Sequence, residues 1–150
     1  MFKKVLSFLI IVIILLLGFF LITRFSENLT SENIKYVKIA GQNIKVDLAL
    51  TKETQQQGLS GRSELKEDEG MLFIFNHEGL YSFWMKDMNF PIDIIWINKN
   101  LEVVDMKKNV LPESYPENFV PKENAKYVLE IVAGFGEKNN LKEGDSIEFK

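Results

Sequence analysis

The sequence predicts a mainly β fold, a compact antiparallel sandwich or barrel-like domain with one or two short helices, preceded by a single transmembrane helix. Two observations support this fold class. An uncharged apolar run fills residues 5–22, and the rest of the chain carries seven or eight short apolar runs that are separated by turn residues. Such short runs, rich in aromatic and β-branched residues, are typical of strands in an all-β domain.

The first element is the apolar run at 5–22, which would span about 27 Å as a helix and so match the hydrocarbon core of a bilayer. It continues into Thr23 and Arg24 without a small-residue cleavage site. We therefore predict an uncleaved signal anchor, with a cleaved signal peptide as the alternative. Lys3 and Lys4 precede the run and favour an N-terminus in the cytoplasm.

The predicted organisation is a cytoplasmic stub at 1–4, a transmembrane signal anchor at 5–22, a linker at 23–34 and an extracytoplasmic β domain at 35–150. The chain would then be a single-pass protein of the cytoplasmic membrane, with its C-terminal domain outside. The lipid bilayer is its predicted partner through residues 5–22.

The first half of the outer domain begins with a predicted hairpin of strands at 36–39 and 44–50, where apolar residues alternate with polar ones. Thr51 can cap a short helix that runs to Gln57, and Gly58 suits a left-handed position that ends it. A polar loop at 60–69 and a strand at 71–75 follow.

The second half is predicted to contain strands at 80–86, 92–97, 101–106 and 127–133, the second and third of these forming a hairpin. Three prolines, at 112, 116 and 121, make the segment 110–125 an extended loop. A short turn or helix at 135–141 leads to a last strand that ends at Phe149.

Charge and cysteine content exclude several classes of protein. The chain has no cysteine and a net charge of −3, so thiolate chemistry and disulfides are absent. From Asn33 onward there are 15 Lys and Arg against 19 Asp and Glu. A mildly acidic surface of mixed sign excludes a nucleic-acid partner bound through excess positive charge.

Two carboxylates occupy apolar faces of predicted strands. Strand alternation places Asp93 on the face of Ile95 and Ile97, and places Glu130 between Val128 and Val132. A buried carboxylate needs a donor, and the natural basic candidates are Arg62 and Lys86, which lie beside apolar segments. Two interpretations follow: structural ion pairs, or a polar pocket in which the carboxylates bind a ligand or act as acid and base.

A soft metal site is the weaker alternative. His77, Met85 and Met88 lie close in sequence to Trp84 and could bind Cu(I), although methionines beside aromatic residues usually fill cores. One histidine without cysteine excludes an ordinary zinc site. With no Gly-rich phosphate loop, no G-x-S-x-G motif and no complete catalytic set, we predict no cofactor and favour a protein that is not an enzyme.

Four segments and one dipeptide give the chain a family resemblance. They are GLSGR at 58–62, GMLFIF at 70–75, FWMKDMNFPIDIIWI at 83–97, KYVLEIVAG at 126–134 and Gly144-Asp145. In this order and spacing they closely resemble the exported or membrane-anchored prokaryotic family catalogued as domain of unknown function 192. The resemblance runs from about Val37 to Phe149 and implies a compact, mainly β sandwich or barrel-like domain, without implying an activity, cofactor or substrate.

The family pattern includes the four charged residues Arg62, Lys86, Asp93 and Glu130. The chain departs from it at Ser60 and Gly61, and at Asp87-Met88, where Asn-Thr is usual in the family. The other positions at which the chain matches the pattern are Gly58, Leu59, Gly70, Met71, Leu72, Phe73, Trp84, Met85, Pro91, Leu129, Gly134, Gly144 and Asp145.

We therefore expect a membrane-tethered module that binds a small polar ligand or a segment of an envelope protein. The predicted ligand-binding residues are Arg62, Met71, Trp84, Lys86, Asp93 and Glu130. One alternative is an envelope-acting hydrolase with Asp93 and Glu130 as acid and base, and another is a purely structural scaffold of a membrane complex.

Overall fold

The computed structural model describes residues 33–150. These residues form seven strands, two short α-helices and a 3-10 helix at Pro112–Ser114. The strands are β1 (Tyr36–Ile39), β2 (Gln42–Ala49), β3 (Glu69–Gly79), β4 (Ile92–Ile97), β5 (Val103–Val110), β6 (Ala125–Val132) and β7 (Glu148–Phe149), and the α-helices are α1 (Lys52–Gln57) and α2 (Phe135–Lys138).

All seven strands join one sheet in the order β5-β4-β6-β3-β2-β1-β7. The fold is thus a single curved sheet of half-barrel form, and the sandwich alternative is not observed. Most neighbouring strands are antiparallel as predicted, but β2 and β3 are parallel. A parallel pair needs a crossover connection, and here the crossover consists of α1 and the polar loop after it.

The C-terminal segment lies between the two ends of this sheet. The N–H of Val103 at the start of β5 donates to the carbonyl of Asp145 over 2.9 Å, and the N–H of Ile147 donates to the carbonyl of Leu101 over 2.8 Å. Because β7 pairs with β1 two residues later, the same segment connects the β5 end of the sheet with the β1 end. This arrangement leaves less of each edge unpaired, as a barrel-like fold requires.

Helix α1 forms because its first turn is capped. The hydroxyl of Thr51 accepts a hydrogen bond from the N–H of Thr54, and the Thr54 hydroxyl accepts one from the N–H of Thr51, which is a reciprocal capping box. Gly58 ends the helix with φ +51° and ψ −133°. The positive φ is confirmed, but this ψ lies outside the left-handed helical region, in a part of conformational space that is essentially restricted to glycine.

Each face of the sheet buries its own apolar cluster. The first cluster includes Ile95, Leu129 and Ile131, and the second includes Phe73, Ile94 and Trp96. Strand β4 is buried along its entire length because both of its faces are covered. The two-sided burial explains why IDIIWI is a continuous apolar run interrupted only by Asp93.

The segment 80–86 is not a strand, contrary to the prediction. Only Phe83 makes a β-bridge, with Phe119, and the carbonyl of Tyr81 accepts a hydrogen bond from the indole Nε1 of Trp96 over 2.8 Å. The segment is held by its side chains against the second cluster and not by a continuous ladder. Its apolar side chains are therefore those of a loop that packs over the second cluster, and they are not a strand pattern.

The turn between β4 and β5 is longer than predicted. Leu101 has φ +63° and belongs to the turn, where the side-chain oxygen of Asn98 accepts hydrogen bonds from the N–H groups of Asn100 and Glu102. An Asn side chain that binds nearby backbone in this way competes with ladder pairing. Strand β5 consequently runs from Val103 to Val110 instead of 101–106.

The predicted stub at 1–4, the predicted anchor at 5–22 and the linker up to residue 32 lie outside the described residues. Within 33–150, none of the helices has the length and apolar character needed to cross a membrane.

Candidate functional site

The two candidate carboxylates lie on neighbouring strands but on opposite faces of the sheet. In the antiparallel register, Ile94 is opposite Glu130, whereas Asp93 is opposite Ile131. Cross-strand partners share a face, so Glu130 faces the second apolar cluster and Asp93 faces the first. The alternative in which Asp93 and Glu130 act together as acid and base is therefore wrong, because the sheet separates them.

Asp93 is fully satisfied by backbone donors. Its Oδ1 accepts hydrogen bonds from the N–H groups of Asn109 (2.8 Å) and Gly134 (3.2 Å), and its Oδ2 accepts one from Gly136 (2.8 Å). The residue is 1% exposed. Asp93 thus holds the end of β5 and the start of α2 in place, a structural role for which neither Arg62 nor Lys86 is needed.

Glu130 is buried without such partners. It is 4% exposed, and its Oε2 has no hydrogen-bond partner. Burial raises the pKa of this carboxyl from 4.5 to about 8, and the charge of Arg62 lowers it only in part. At neutral pH the carboxyl therefore retains its proton and can both donate and accept a hydrogen bond.

Arg62 does not bind Glu130. Its Nη2 lies 2.8 Å from Oδ2 of Asp47, forming an ion pair at the surface. The prediction that a basic side chain would be the direct partner of the buried carboxylates is thus wrong for Arg62. Its influence on Glu130 is electrostatic and acts at longer range.

A pocket of about 280 Å³ opens above Glu130. Phe73 of β3 and Glu130 of β6 contribute from the sheet, α1 and the following loop form one wall, and the segment 81–88 forms the other. We call this the Glu130 pocket. Its lining residues are Lys52, Gln55, Gln56, Gln57, Gly58, Leu59, Ser60, Phe73, Phe75, Tyr81, Ser82, Phe83, Trp84, Met88 and Glu130.

Hydrogen bonds join the two walls at one end. The Ser60 hydroxyl donates to the carbonyl of Lys86 over 2.7 Å, the N–H of Gly61 donates to the carbonyl of Asp87 over 2.8 Å, and the Asn89 amide donates to the carbonyl of Arg62 over 2.7 Å. The walls are therefore fixed relative to each other. A site whose walls are fixed before a ligand arrives loses less entropy on binding.

Trp84 lines the pocket at its exposed rim, and Lys86, which does not line the pocket, contacts the Trp84 ring. Trp84 is 44% exposed and contacts Tyr115 edge to face, with 6.0 Å between ring centroids. The Nζ of Lys86 lies 5.9 Å from the centroid of the Trp84 ring, which is cation–π distance. Lys86 thus contacts the aromatic ring of Trp84 and forms no ion pair with a carboxylate of the described residues.

Met71 and Met85 are core residues. Both are buried in the second cluster, and Met71 is directly opposite Glu130 in the register of β3 with β6. Met88 is partly buried against the same cluster and reaches the pocket, whereas His77 is exposed near the end of β3. Between residues 33 and 150, no group of three or more His, Asp or Glu residues could hold a metal ion.

Several lining residues could not be predicted from the sequence. Phe75 and Tyr81 stack with 3.5 Å between ring centroids, and α1 contributes three consecutive glutamines. The sequence does offer one signal: the helix segment KETQQQ contains no apolar residue, so it has no apolar stripe to pack against the core. In the structure α1 accordingly buries none of its residues. A helix of that composition covers a surface feature instead of contributing to the core.

Comparison with known proteins gives a family and two similar crystal structures. The model of the domain of unknown function 192, described as "Uncharacterized ACR", matches residues 35–149. A protein of unknown function from Novosphingobium aromaticivorans is 30% identical, with a TM-score of 0.73 over 77% of this chain and 84% of that one. No curated protein matches the chain.

The second similar structure comes from Sinorhizobium meliloti and is described as a candidate transcription regulator. It is 28% identical to this chain, with a TM-score of 0.71, and the alignment covers 76% of this chain and 90% of that one. Both alignments therefore extend over most of the β domain.

Proposed function

Since the chain belongs to the uncharacterised family catalogued as domain of unknown function 192, we propose from its own geometry that its β domain is a small-ligand-binding module. The ligand would occupy the Glu130 pocket, with the carboxyl of Glu130 as its polar contact. We further propose that residues 5–22 hold this domain at the outer face of the cytoplasmic membrane.

The observation that carries the binding proposal is the unpartnered Oε2 of Glu130 beneath an open pocket. A buried carboxyl without a hydrogen bond costs folding free energy, on the order of 1–3 kcal/mol, and a ligand that supplies the missing partner would recover that cost. The aromatic side chains of the pocket supply apolar contact area. This combination of apolar walls and few polar groups is typical of small-molecule sites.

Two other functions have less support. A scaffold that acts only through its surface leaves the pocket and the unpartnered carboxyl unexplained. A role on DNA, as in the description of the Sinorhizobium meliloti protein, needs a basic surface, whereas the sequence from Asn33 onward has 15 basic and 19 acidic residues.

The binding proposal is tested by blocking the pocket. Ser82 lines the pocket and is exposed, so Ser82→Trp should fill its mouth, while Ser63→Trp adds the same side chain at an exposed position outside it. Ligand-detected NMR with a library of cationic, neutral and anionic fragments would be run on the full-length chain and both variants. We expect fragments that bind the unchanged chain and Ser63→Trp to lose binding to Ser82→Trp.

If no fragment distinguishes Ser82→Trp from Ser63→Trp, the Glu130 pocket is not a ligand site and the proposal fails.

A further inference from the structure

The charges around the Glu130 pocket are unbalanced. Glu130 is its one acidic lining residue, and Lys52, its basic lining residue, is exposed on α1. Arg62, the cation whose charge lowers the pKa of Glu130 in part, is already paired with Asp47 at 2.8 Å. The buried carboxyl therefore has no counter-ion of its own among the described residues.

The walls of the pocket are suited to a cation. Five aromatic rings line it, those of Phe73, Phe75, Tyr81, Phe83 and Trp84. The faces of aromatic rings attract positive charge, and the attraction strengthens when the cation is shielded from water. One of these rings, that of Trp84, already has a cation near it, since Lys86 Nζ lies 5.9 Å from its centroid.

We infer that the ligand of the Glu130 pocket is a small organic cation of the alkylammonium type, paired with the Glu130 carboxylate and surrounded by aromatic walls. This inference rests on the proposed function and names the chemical class of the ligand. A pocket of about 280 Å³ is at the small end of ligand sites, which fits an ammonium group on a short apolar chain.

Binding of a cation would be coupled to a proton. At neutral pH the carboxyl is in its protonated form, since burial raises its pKa to about 8. An ammonium ion pairs with the carboxylate, so binding releases the proton to solvent and affinity rises with pH. The other ionisable groups around the carboxyl are Arg62, whose charge acts on it and which is paired with Asp47, and Lys52 and Tyr81, which line the pocket.

This release of a proton on binding distinguishes a cationic ligand from a neutral one by the pH dependence of affinity. A neutral alcohol or amide would use the protonated carboxyl as a donor, so its affinity would fall as pH rises. For a cation, one proton released per ligand makes the dissociation constant fall about tenfold between pH 6 and pH 7.

In the experiment, n-butylammonium is titrated into the full-length chain in non-ionic detergent at pH 6, 7 and 8.5, and its binding is measured by isothermal titration calorimetry. n-Butanol is the neutral probe of similar shape and butyrate is the anionic one. Glu130→Gln removes the charge with little change in size, Glu117→Gln changes an exposed glutamate as the matched control, and Ser82→Trp fills the pocket.

We expect n-butylammonium to bind at least tenfold more tightly than n-butanol at pH 8.5. Its affinity should rise about tenfold from pH 6 to pH 7 in the unchanged chain and in Glu117→Gln. In Glu130→Gln the affinity should be at least tenfold lower at pH 8.5 and independent of pH. Native amide spectra of Glu130→Gln would establish that the variant is folded.

Two results would overturn the inference. If n-butanol binds as tightly as n-butylammonium and Ser82→Trp abolishes its binding, the pocket is a ligand site for neutral molecules, so the proposed function stands and the cation is wrong. If none of the three probes responds to Ser82→Trp, and the fragment library does not respond either, both proposals fail.

Discussion

At the scale of single residues, Glu130 makes the stability of the domain depend on pH. Its folded-state pKa of about 8 lies above the ordinary value of 4.5, so the folded chain binds the proton more tightly than the unfolded chain does. The stabilisation is complete below pH 4.5 and is lost as pH rises through 8. We expect the free energy of unfolding to fall by up to about 1.4 kcal/mol per pH unit within this window.

Urea denaturation between pH 5 and pH 8 measures this slope. Glu130→Gln should flatten it and should be more stable than the unchanged chain at pH 8, whereas Glu117→Gln, at an exposed position, should keep it. Identical slopes in all three proteins would mean that Glu130 is not the titrating group.

Asp93, in contrast to Glu130, should be needed for the stability of the folded domain. Asp93→Asn replaces one acceptor oxygen by an amide group that faces N–H donors, which leaves part of the set from Asn109, Gly134 and Gly136 unsatisfied. We expect a loss of about 2–4 kcal/mol in unfolding free energy. Asp68→Asn, at an exposed position, is the control, and equal stability of the two variants would refute the structural role.

Sequence periodicity could identify both carboxylates but not their partners. The period of two along a strand was enough to place Asp93 and Glu130 on apolar faces, and both are buried. Which face each occupies depends on the pairing of β4 with β6, a contact between segments some 35 residues apart. The pairing of Arg62 with Asp47 likewise depends on the path of the crossover, which local pattern does not encode.

At the scale of elements, the end of α1 controls the shape of the pocket. A Cβ on Gly58 would lie 3.3 Å from Cζ of Phe73 and 3.6 Å from Oε2 of Glu130, at a φ of +51° that other residues rarely adopt. Gly58→Ala should therefore destabilise the domain by about 1–3 kcal/mol and weaken any ligand bound at Glu130. Thermal unfolding measures the first effect and calorimetry the second.

Gly61→Ala is a suitable comparison for that substitution. Gly61 also has a positive φ, of +78°, but a Cβ there has open space around it. Gly61→Ala should therefore have a backbone strain like that of Gly58→Ala but should leave ligand binding unchanged. An equal loss of binding in the two variants would show that Gly58→Ala acts through backbone strain alone.

Elements with a strong local signal were predicted well, and those held by distant contacts were not. Strand β4 was predicted at 92–97 and lies at Ile92–Ile97, and α1 follows its Thr51 cap. The segment 80–86 carries the same apolar composition as a strand, yet its place is set by Phe119 and Trp96. Composition does not distinguish a strand from a loop that packs through its side chains.

At the scale of the whole molecule, the membrane tether is the proposal with the most direct test. Removing residues 5–22 should release the chain from the membrane fraction, because no other segment has a comparable uncharged apolar run. In sealed spheroplasts of a bacterial expression host, protease should digest the outer domain of the full-length protein. Protection of that domain would contradict the predicted orientation.

The parallel pair of β2 and β3 has an evolutionary consequence. Because parallel neighbours cannot be joined by a tight turn, the chain must make a detour of some twenty residues, and that detour is one wall of the Glu130 pocket. Substitutions in the part of this detour that lines the pocket, from Lys52 to Ser60, would reshape the entrance while the strand register stays intact. The sheet thus holds Glu130 in place while the crossover shapes the wall above it, so the form of the entrance can change in evolution without a change in the strands.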